Sequence, residues 1–383
     1  MKERIRIIGF TDTGCALAKR LLQFYEGAGA GATVTDGRGK GVLSAFVRDY
    51  FRKDTLLVFV GAAGIAVRAI APYVKDKLED PAVLVLDETG RFVIPLLSGH
   101  VGGANEAAAD LAAYLGAEAV LTTASDVHHL PAIDVIAKEN GLAIADYEAA
   151  KRFAASFLQH RRAGVLLPEA FADVLQIRTD EVFFHTQTVS SERLSACVSE
   201  GRRSSASGHV PEEGLPCCMV TPEQLTPAAE SPGDTIAGRE TNGKKAPAPL
   251  HLIPRCVVIG MGCRKRKDAE ALFAFCMETL AALSLDPRAV CALCSVDVKC
   301  EEQGLLALAK RLEIPFLTFS AEELNETEGT FAGSAFVEST VGTDNVCERA
   351  AVKGGAVRLI QKKTARDGMT IAVGLTEKTI LFS

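Results

Sequence analysis

Residues 95–105 read PLLSGHVGGAN. An apolar run stops at Ser98. Gly99, His100 and the pair Gly102-Gly103 follow, and an alanine-rich segment with helical character begins at Ala104, taking in Asn105 and Glu106. Strand, glycine turn, helix is the building unit of an open α/β sheet. Glycines at such a junction allow close backbone approach to a ligand and are expected to leave N–H groups pointing outward. The start of a helix adds partial positive charge. The stretch therefore predicts an anion site, with His100 inside it as a proton-transfer group.

The same unit recurs on both sides. Strands are expected at Ile5–Gly9, Thr55–Val60, Ala82–Asp87, Phe92–Leu96 and Ala119–Thr123. Helical spacing falls over Cys15–Tyr25, Val67–Val74 (with Pro72 set to end it) and Ala104–Leu115. Apolar strands alternating with helices imply a mostly parallel sheet covered on both faces. A second α/β region opens at Cys256 with the strand VVIGMGC. It continues through a helix at Ala269–Leu283, a strand at Ala289–Ser295, a helix at Leu305–Leu312 and a strand at Pro315–Phe319. A capping signature at Ser320–Glu323 and a strand at Met369–Leu375 complete it.

The expected division is an N-terminal α/β domain over 1–134, a smaller middle region over 135–251 and a C-terminal α/β domain over 252–383. The two outer domains are read as three-layer α/β/α folds. From about 200 to 250 the chain is rich in Ser, Pro, Gly and charge, which reads as mobile linker over 200–214 and 222–248. A short apolar patch at Cys217–Val220 is expected to join a sheet.

The chain has 383 residues, is 48% hydrophobic and carries a formal net charge of −6. This balance argues against general nucleic-acid or membrane-surface binding, so an anionic ligand must be held by local donors. The start, MKERIRIIGF, lacks the apolar core of a signal peptide, and no apolar run is long enough to cross a bilayer. The 11 cysteines form no framework, which points to the cytoplasm and to thiols that pack as small hydrophobes.

Several further motifs bear on chemistry. GFTDTG at 9–14 lacks both the P-loop ending and the dinucleotide glycine spacing, and reads as a capped helix start. GAAGIAVR at 61–68 places Gly61 and Gly64 at a strand end, with Arg68 able to meet an anion. TTASDVHHLPAID at 122–134 offers Thr123, Asp126, His128, His129 and Asp134. A metal cluster there is disfavoured because adjacent histidines diverge and metal-ligand spacing is missing. Asp126 reads better as an acid/base group.

In the last domain, GCRKRKD at 262–268 sets Gly262 before Arg264, Lys265 and Arg266. Cations at a helix start oppose the helix dipole, so the arrangement favours an anionic ligand. In CALCSVDVKC at 291–300, the cysteines read as packed, while Ser295, Asp297 and Lys299 alternate and are expected to share one face.

In this order the motifs resemble one family, the cobalt-precorrin-5A hydrolases (CbiG type) of anaerobic cobalamin biosynthesis. The resemblance rests on GAAGIAVRAIAP, LSGHVGGANE, TTASDVHHLPAID, VIGMGCRKRKD, SVDVKCEEQGLLALAKRL and FSAEEL, and covers roughly 1–140 and 255–375. The basic loop departs from the usual GCRRGT in carrying Lys265, Arg266 and Lys267 after Arg264.

The resemblance implies hydrolysis of a δ-lactone between the ring A acetate and carbon 20 of a cobalt macrocycle, with carbon 20 leaving as acetaldehyde. It also implies that no dissociable cofactor is needed, because cobalt is carried by the substrate. His100 and Asp126 are then the catalytic candidates, either being eligible as the base. Gly61, Gly64, Arg68, Ser98, Gly99, Gly102, Gly103, Asn105, Glu106, Thr123, Gly262, Arg264, Lys265, Ser295, Asp297, Lys299 and Lys362 are candidate substrate contacts. A non-catalytic corrinoid-binding or channelling protein is one alternative, and a nucleotide-binding enzyme using GFTDTG is a second. Homodimerisation and transient contact with neighbouring pathway enzymes both stay open.

Overall fold

The computed structural model describes residues 4–76, 79–100, 102–190, 215–225, 249–333, 339 and 341–382. The chain folds as two compact units, Met1–Val135 and Ile136–Ser383.

The first unit runs β1 (Arg4–Gly9), α1 (Asp12–Gly27), β2 (Gly31–Asp36), α2 (Val42–Tyr50), β3 (Thr55–Val60), α3 (Ala63–Ile70), β4 (Ala82–Leu86), β5 (Phe92–Leu97), α4 (Ala104–Leu115), β6 (Glu118–Ala119) and α5 (Ala124–Val127). Helix α6 (Ile133–Glu139) follows across the boundary. The sheet order is β2-β1-β3-β4-β5-β6.

Strand β3 lies centrally and is buried along its whole length. Leu56, Val58 and Val60 enter one core with Leu17 and Leu21 of α1 and Ala108 and Leu111 of α4. Leu57 and Phe59 enter the opposite core with Phe46 of α2 and Ala66 of α3. Each such large side chain stabilises the fold by about 1.5–3 kcal/mol. The sheet is thus covered on both faces, as the continuous apolar strands required.

Strands β1 to β4 are parallel, but β5 is antiparallel to β4, with Leu86 opposite Val93 and Val83 opposite Leu97. The connection explains the reversal. Only Asp87–Arg91 joins the two strands, and so short a link makes a hairpin rather than a crossover. The Asp87 carboxylate accepts N–H bonds from Thr89 and Phe92 at 3.1 and 2.7 Å, and Gly90 takes φ +72°. Strand β6 then pairs parallel to β5. The C-terminal ends of β5 and β6 therefore emerge at the edge where β1 to β4 begin.

The second unit contains β7 (Leu142–Ile144), α7 (Tyr147–His160), β8 (Ala163–Pro168), β9 (Leu175–Thr179), β10 (Phe184–Val189), β11 (Cys217–Val220) and β12 (Leu250–Pro254). Next come β13 (Val257–Cys263), α8 (Ala269–Ala282), β14 (Val290–Val296), α9 (Gln303–Arg311), β15 (Phe316–Phe319), α10 (Ala321–Asn325), α11 (Val346–Lys353), β16 (Arg358–Arg366), β17 (Met369–Leu375) and β18 (Lys378–Phe382).

One sheet has the order β10-β8-β11-β12-β7, another β15-β14-β13-β17-β16, and β18 pairs with β9. In the second of these, β13 to β15 are parallel, β17 runs antiparallel to β13, and β16 runs antiparallel to β17. The apolar patch at Cys217–Val220 is a strand between β8 and β12. Strand β12 spans residues 250–254, so the division drawn at 251/252 falls inside a strand.

The linker expectation is corrected at one end. Residues 222–225 are held, since Gln224 donates its N–H to Ser284 O at 2.7 Å and Glu223 bridges Leu285. Residues 200–214 and 226–248 lie outside the described set.

Candidate functional site

Because β5 and β6 run parallel, the loops that follow them meet. Ser98 begins the first loop with φ +54°, and its hydroxyl donates to Asp80 O at 3.0 Å, at the entry to β4. Gly103 has φ +80° and opens α4. The Asn105 side chain, which is buried, then ties the two loops together. Its Nδ2 donates to Thr123 Oγ1 at 3.1 Å and to Asp126 Oδ2 at 2.7 Å.

Above this tie sits His100. Its Nε2 lies 3.2 Å from Asp126 Oδ2 and 3.1 Å from Ser125 Oγ. Its Nδ1 lies 3.4 Å from Asp134 Oδ1. The imidazole is 17% exposed and Asp126 27%, so the pair is partly sheltered yet reachable. Asp134 is the main influence holding the His100 imidazolium above the usual histidine range. Partial burial opposes it, and Asp126 adds to it. His100 therefore keeps its proton to higher pH than a free histidine, so the protonated form able to donate persists over a wider range.

Asp134 was offered by the 122–134 motif without a role, and Ser125 was not singled out. Asp134 stands 34 residues from His100, and no motif spacing links them; only the parallel β5–β6 pairing does.

The glycines of the loop serve its closure, which corrects their reading as openings for a ligand. A Cβ on Gly102, which is buried, would lie 2.2 Å from Ser98 Cβ, and one on Gly99 would lie 2.6 Å from Asn105 Oδ1. Three N–H groups of the turn are also satisfied internally: Gly103 to His100 O at 2.9 Å, Ala104 to Ser98 O at 3.2 Å and Asn105 to Gly99 O at 3.0 Å. Glu106 is exposed on α4. Beside this loop, His100 lies within reach of Asp126 and Ser125 of α5 and of Asp134 of α6.

The GAAG turn does not join this site. The Gly61 N–H donates to Leu86 O at 2.8 Å, at the C-terminal end of β4 and so at the opposite edge of the sheet from Ser98. The Arg68 guanidinium folds back over Gly64, where a Cβ would lie 3.3 Å from Nη1. The crevice between the ends of β1 and β3, where open α/β sheets usually take ligands, holds the Phe10 ring. A Cβ on Gly61 or Gly37 would approach that ring to 2.9 or 2.7 Å. GFTDTG is a capped helix start, with Thr11 Oγ1 accepting from Gly14 N at 3.0 Å.

In the second unit, β13 ends at the loop carrying Arg264, Lys265 and Arg266, all exposed and without an ion pair among the described residues. The Arg264 N–H bonds Gly368 O at 2.9 Å, and Lys267 Nζ reaches Asp367 O at 2.9 Å, so the β16–β17 hairpin braces the loop. Helix α8 starts beside it, capped by Asp268. Gly262 stands between Thr370 and Val346 at the N-terminus of α11. A cationic loop among helix starts is suited to carboxylates. Lys362 is exposed on β16.

The expected Ser295-Asp297-Lys299 face does not form. Strand β14 stops at Val296, and Asp297–Lys299 is a 3-10 turn that breaks the alternation. Ser295 is fully buried, and its hydroxyl donates to Met261 O at 2.7 Å. Asp297 is exposed and accepts from Val298 N at 2.7 Å. Lys299 is buried, with Nζ 3.3 Å from Glu302 Oε2. Cys294 packs as read and Cys291 is half-buried, but Cys300 is exposed; burial pushes the thiols of Cys256, Cys276 and Cys294 up to about 12. His128 and His129 are exposed, and no group of three or more His, Cys, Asp or Glu suited to a metal ion occurs among the described residues. Nor is any helix among them long and apolar enough to cross a membrane.

In the first unit a histidine stands between two carboxylates at the edge of an open α/β sheet, and the second unit, taken by itself, carries an exposed cationic loop. Comparison with known proteins gives the family. Models for cobalamin synthesis G match the N-terminal part over 45–126, the central region over 131–231 and the C-terminus over 257–374. The cobalt-precorrin-5A hydrolase of Salmonella typhimurium is 33% identical over 379 residues, 97% of this chain and 98% of that one. The protein of the same name from Priestia megaterium is 31% identical over 322 residues, 83% of this chain and 78% of that one. A solved cobalamin biosynthesis protein G homolog from Sulfolobus solfataricus aligns with a TM-score of 0.35 and 19% identity, covering 98% of each chain. The chain belongs to the cobalamin synthesis G (CbiG) family.

Proposed function

We propose that this chain is a hydrolase that opens the ring A acetate–C20 δ-lactone of a cobalt-precorrin and releases carbon 20 as acetaldehyde. The observation that carries the mechanism is the His100–Asp126 pair, with Nε2 and Oδ2 3.2 Å apart. The names of the curated relatives support the substrate class.

In this reading, Asp126 takes a proton from water as its oxygen attacks the lactone carbonyl carbon. The oxyanion collapses, the ester C–O bond breaks, and His100 gives the Nε2 proton to the alkoxide on carbon 20. The neutral imidazole then takes the proton back from that hydroxyl. The bond between carbon 20 and the macrocycle breaks, its electron pair passes to the ring, and carbon 20 leaves with its methyl group as acetaldehyde. The macrocycle acts as the electron sink, so the protein supplies positioning and proton transfer, and no dissociable cofactor is required. Cobalt is part of the substrate.

The test is to incubate the protein with the lactone-bearing cobalt-precorrin and measure acetaldehyde. Turnover is expected from the native chain, and His100→Ala should lower it by roughly a hundredfold or more, the usual scale for losing a proton-transfer group. Tight binding with no acetaldehyde release would instead favour a corrinoid carrier.

A further inference from the structure

We propose that Asp134 is a positioning residue for the reaction, holding the His100 ring through Nδ1 so that the Nε2 proton faces Asp126, Ser125 and the substrate. This rests on the reading of His100 as the proton donor.

The geometry has three parts. The two ring nitrogens face different carboxylates, with Nδ1 3.4 Å from Asp134 Oδ1 and Nε2 3.2 Å from Asp126 Oδ2. The two nitrogens of an imidazole are not equivalent, and the partner of one decides what the other can do. The charged groups facing His100 are Asp134 from α6 and Asp126 from α5, and Ser125 adds a hydroxyl. Asp126 is also engaged by Asn105, so Asp134 is the carboxylate on the ring's far side from the proposed chemistry.

Asp134 is itself well anchored. It lies in the first turn of α6, its Oδ1 accepts from Val135 N at 3.1 Å, and its helix is seated by buried Ile133, Ile136 and Ala137. A rigid carboxylate at Nδ1 fixes the ring plane and stabilises the imidazolium without itself touching substrate. Asp134 is also the stronger of the two influences raising the His100 pKa.

The experiment uses the full chain and titrates the His100 imidazole by NMR in the native protein, in Asp134→Asn and in Asp134→Glu. The native His100 should titrate above the free-histidine range, Asp134→Asn should lower that value, and Asp134→Glu should restore part of it. In parallel, Asp134→Asn should lower kcat by about ten- to a hundredfold, the scale for removing an orienting partner. Its alkaline limb should move to lower pH, while KM changes little.

A native His100 that titrates at or below the ordinary range overturns the proposal without any variant. So does an Asp134→Asn protein with an unchanged His100 titration. The NMR arm is independent of turnover. Should the titrations shift as stated while the native chain releases no acetaldehyde, the positioning role stands and the reaction assignment falls.

Discussion

Asp126→Asn is expected to reduce acetaldehyde release by about a hundredfold to ten-thousandfold, the span general acid–base groups contribute. The substitution is close to isosteric. The new carboxamide oxygen can still accept from Asn105 Nδ2, which lies 2.7 Å from Asp126 Oδ2 in the native chain, so the two loops stay joined. The loss is confined to the negative charge and the ability to take a proton from water. Substrate binding should change by only a few-fold, because the side chain keeps its size and its hydrogen bond to Asn105. Combining Asp126→Asn with His100→Ala should cost little more than the worse single change, since groups acting as a unit are not additive. Near-normal release from Asp126→Asn, with the fold intact by circular dichroism, would place the base elsewhere.

The sequence left His100 and Asp126 both eligible as the base, and the proposed mechanism gives that role to Asp126. Both His100 nitrogens face carboxylates, Asp134 most of all, which raise its pKa and favour its use as a proton donor. The composition of PLLSGHVGGAN identified the loop and its histidine, but it said nothing about what would stand opposite each nitrogen. That information lies in α5 and α6, brought in by the pairing of β5 with β6.

The direction of β5 is the instructive case. Ala82–Asp87 and Phe92–Leu96 were both legible as strands, and Gly90 marked the turn between them. A link that short makes a hairpin, so the reversal was in principle readable. Its consequence is large, because it places the His100 loop and the GAAG turn on opposite edges of one sheet. Motifs that looked equivalent, each a glycine turn at a strand's C-terminal end, are therefore separated.

Other elements escaped for local reasons. Strand β2, GATVTD, has only intermediate or exposed residues, so no apolar run announced it. Strands β7, β9 and β18 are short and gain their place from partners distant in sequence, as when Leu175–Thr179 pairs with Lys378–Phe382. By contrast, the bounds of α4 matched because Gly103 and Gly116, both at positive φ, flank an unbroken helix-forming run.

Gly260→Ala is expected to be among the most destabilising single changes in the second unit. Gly260 lies within β13, and a Cβ there would sit 1.8 Å from Cys347 O, 2.8 Å from Cys347 C and 2.9 Å from Ala351 N. All three are backbone atoms of α11, so no side-chain rotation relieves the clash and the helix itself must move. Overpacking of a tight core costs about 1–3 kcal/mol, occasionally more. Movement of α11 also pulls on Glu348, a fully buried residue whose carboxylate accepts from Lys363 N at 2.6 Å and Ala332 N at 3.2 Å. Leaving such a group without its donors costs a further 1–3 kcal/mol or so. The combined loss, about 2–6 kcal/mol, is a large part of an ordinary domain's stability of about 5–15 kcal/mol. A clear fall in the urea midpoint and poor accumulation of folded protein should follow. Gly27→Ala is the matched control: it ends α1, has nothing within 4 Å of its Cβ position, and should leave the midpoint unchanged or slightly raised. An unchanged midpoint for Gly260→Ala would mean that α11 does not rest directly on the β13 backbone, and with it would go the close seating of the α11 N-terminus beside Gly262 and the cationic loop.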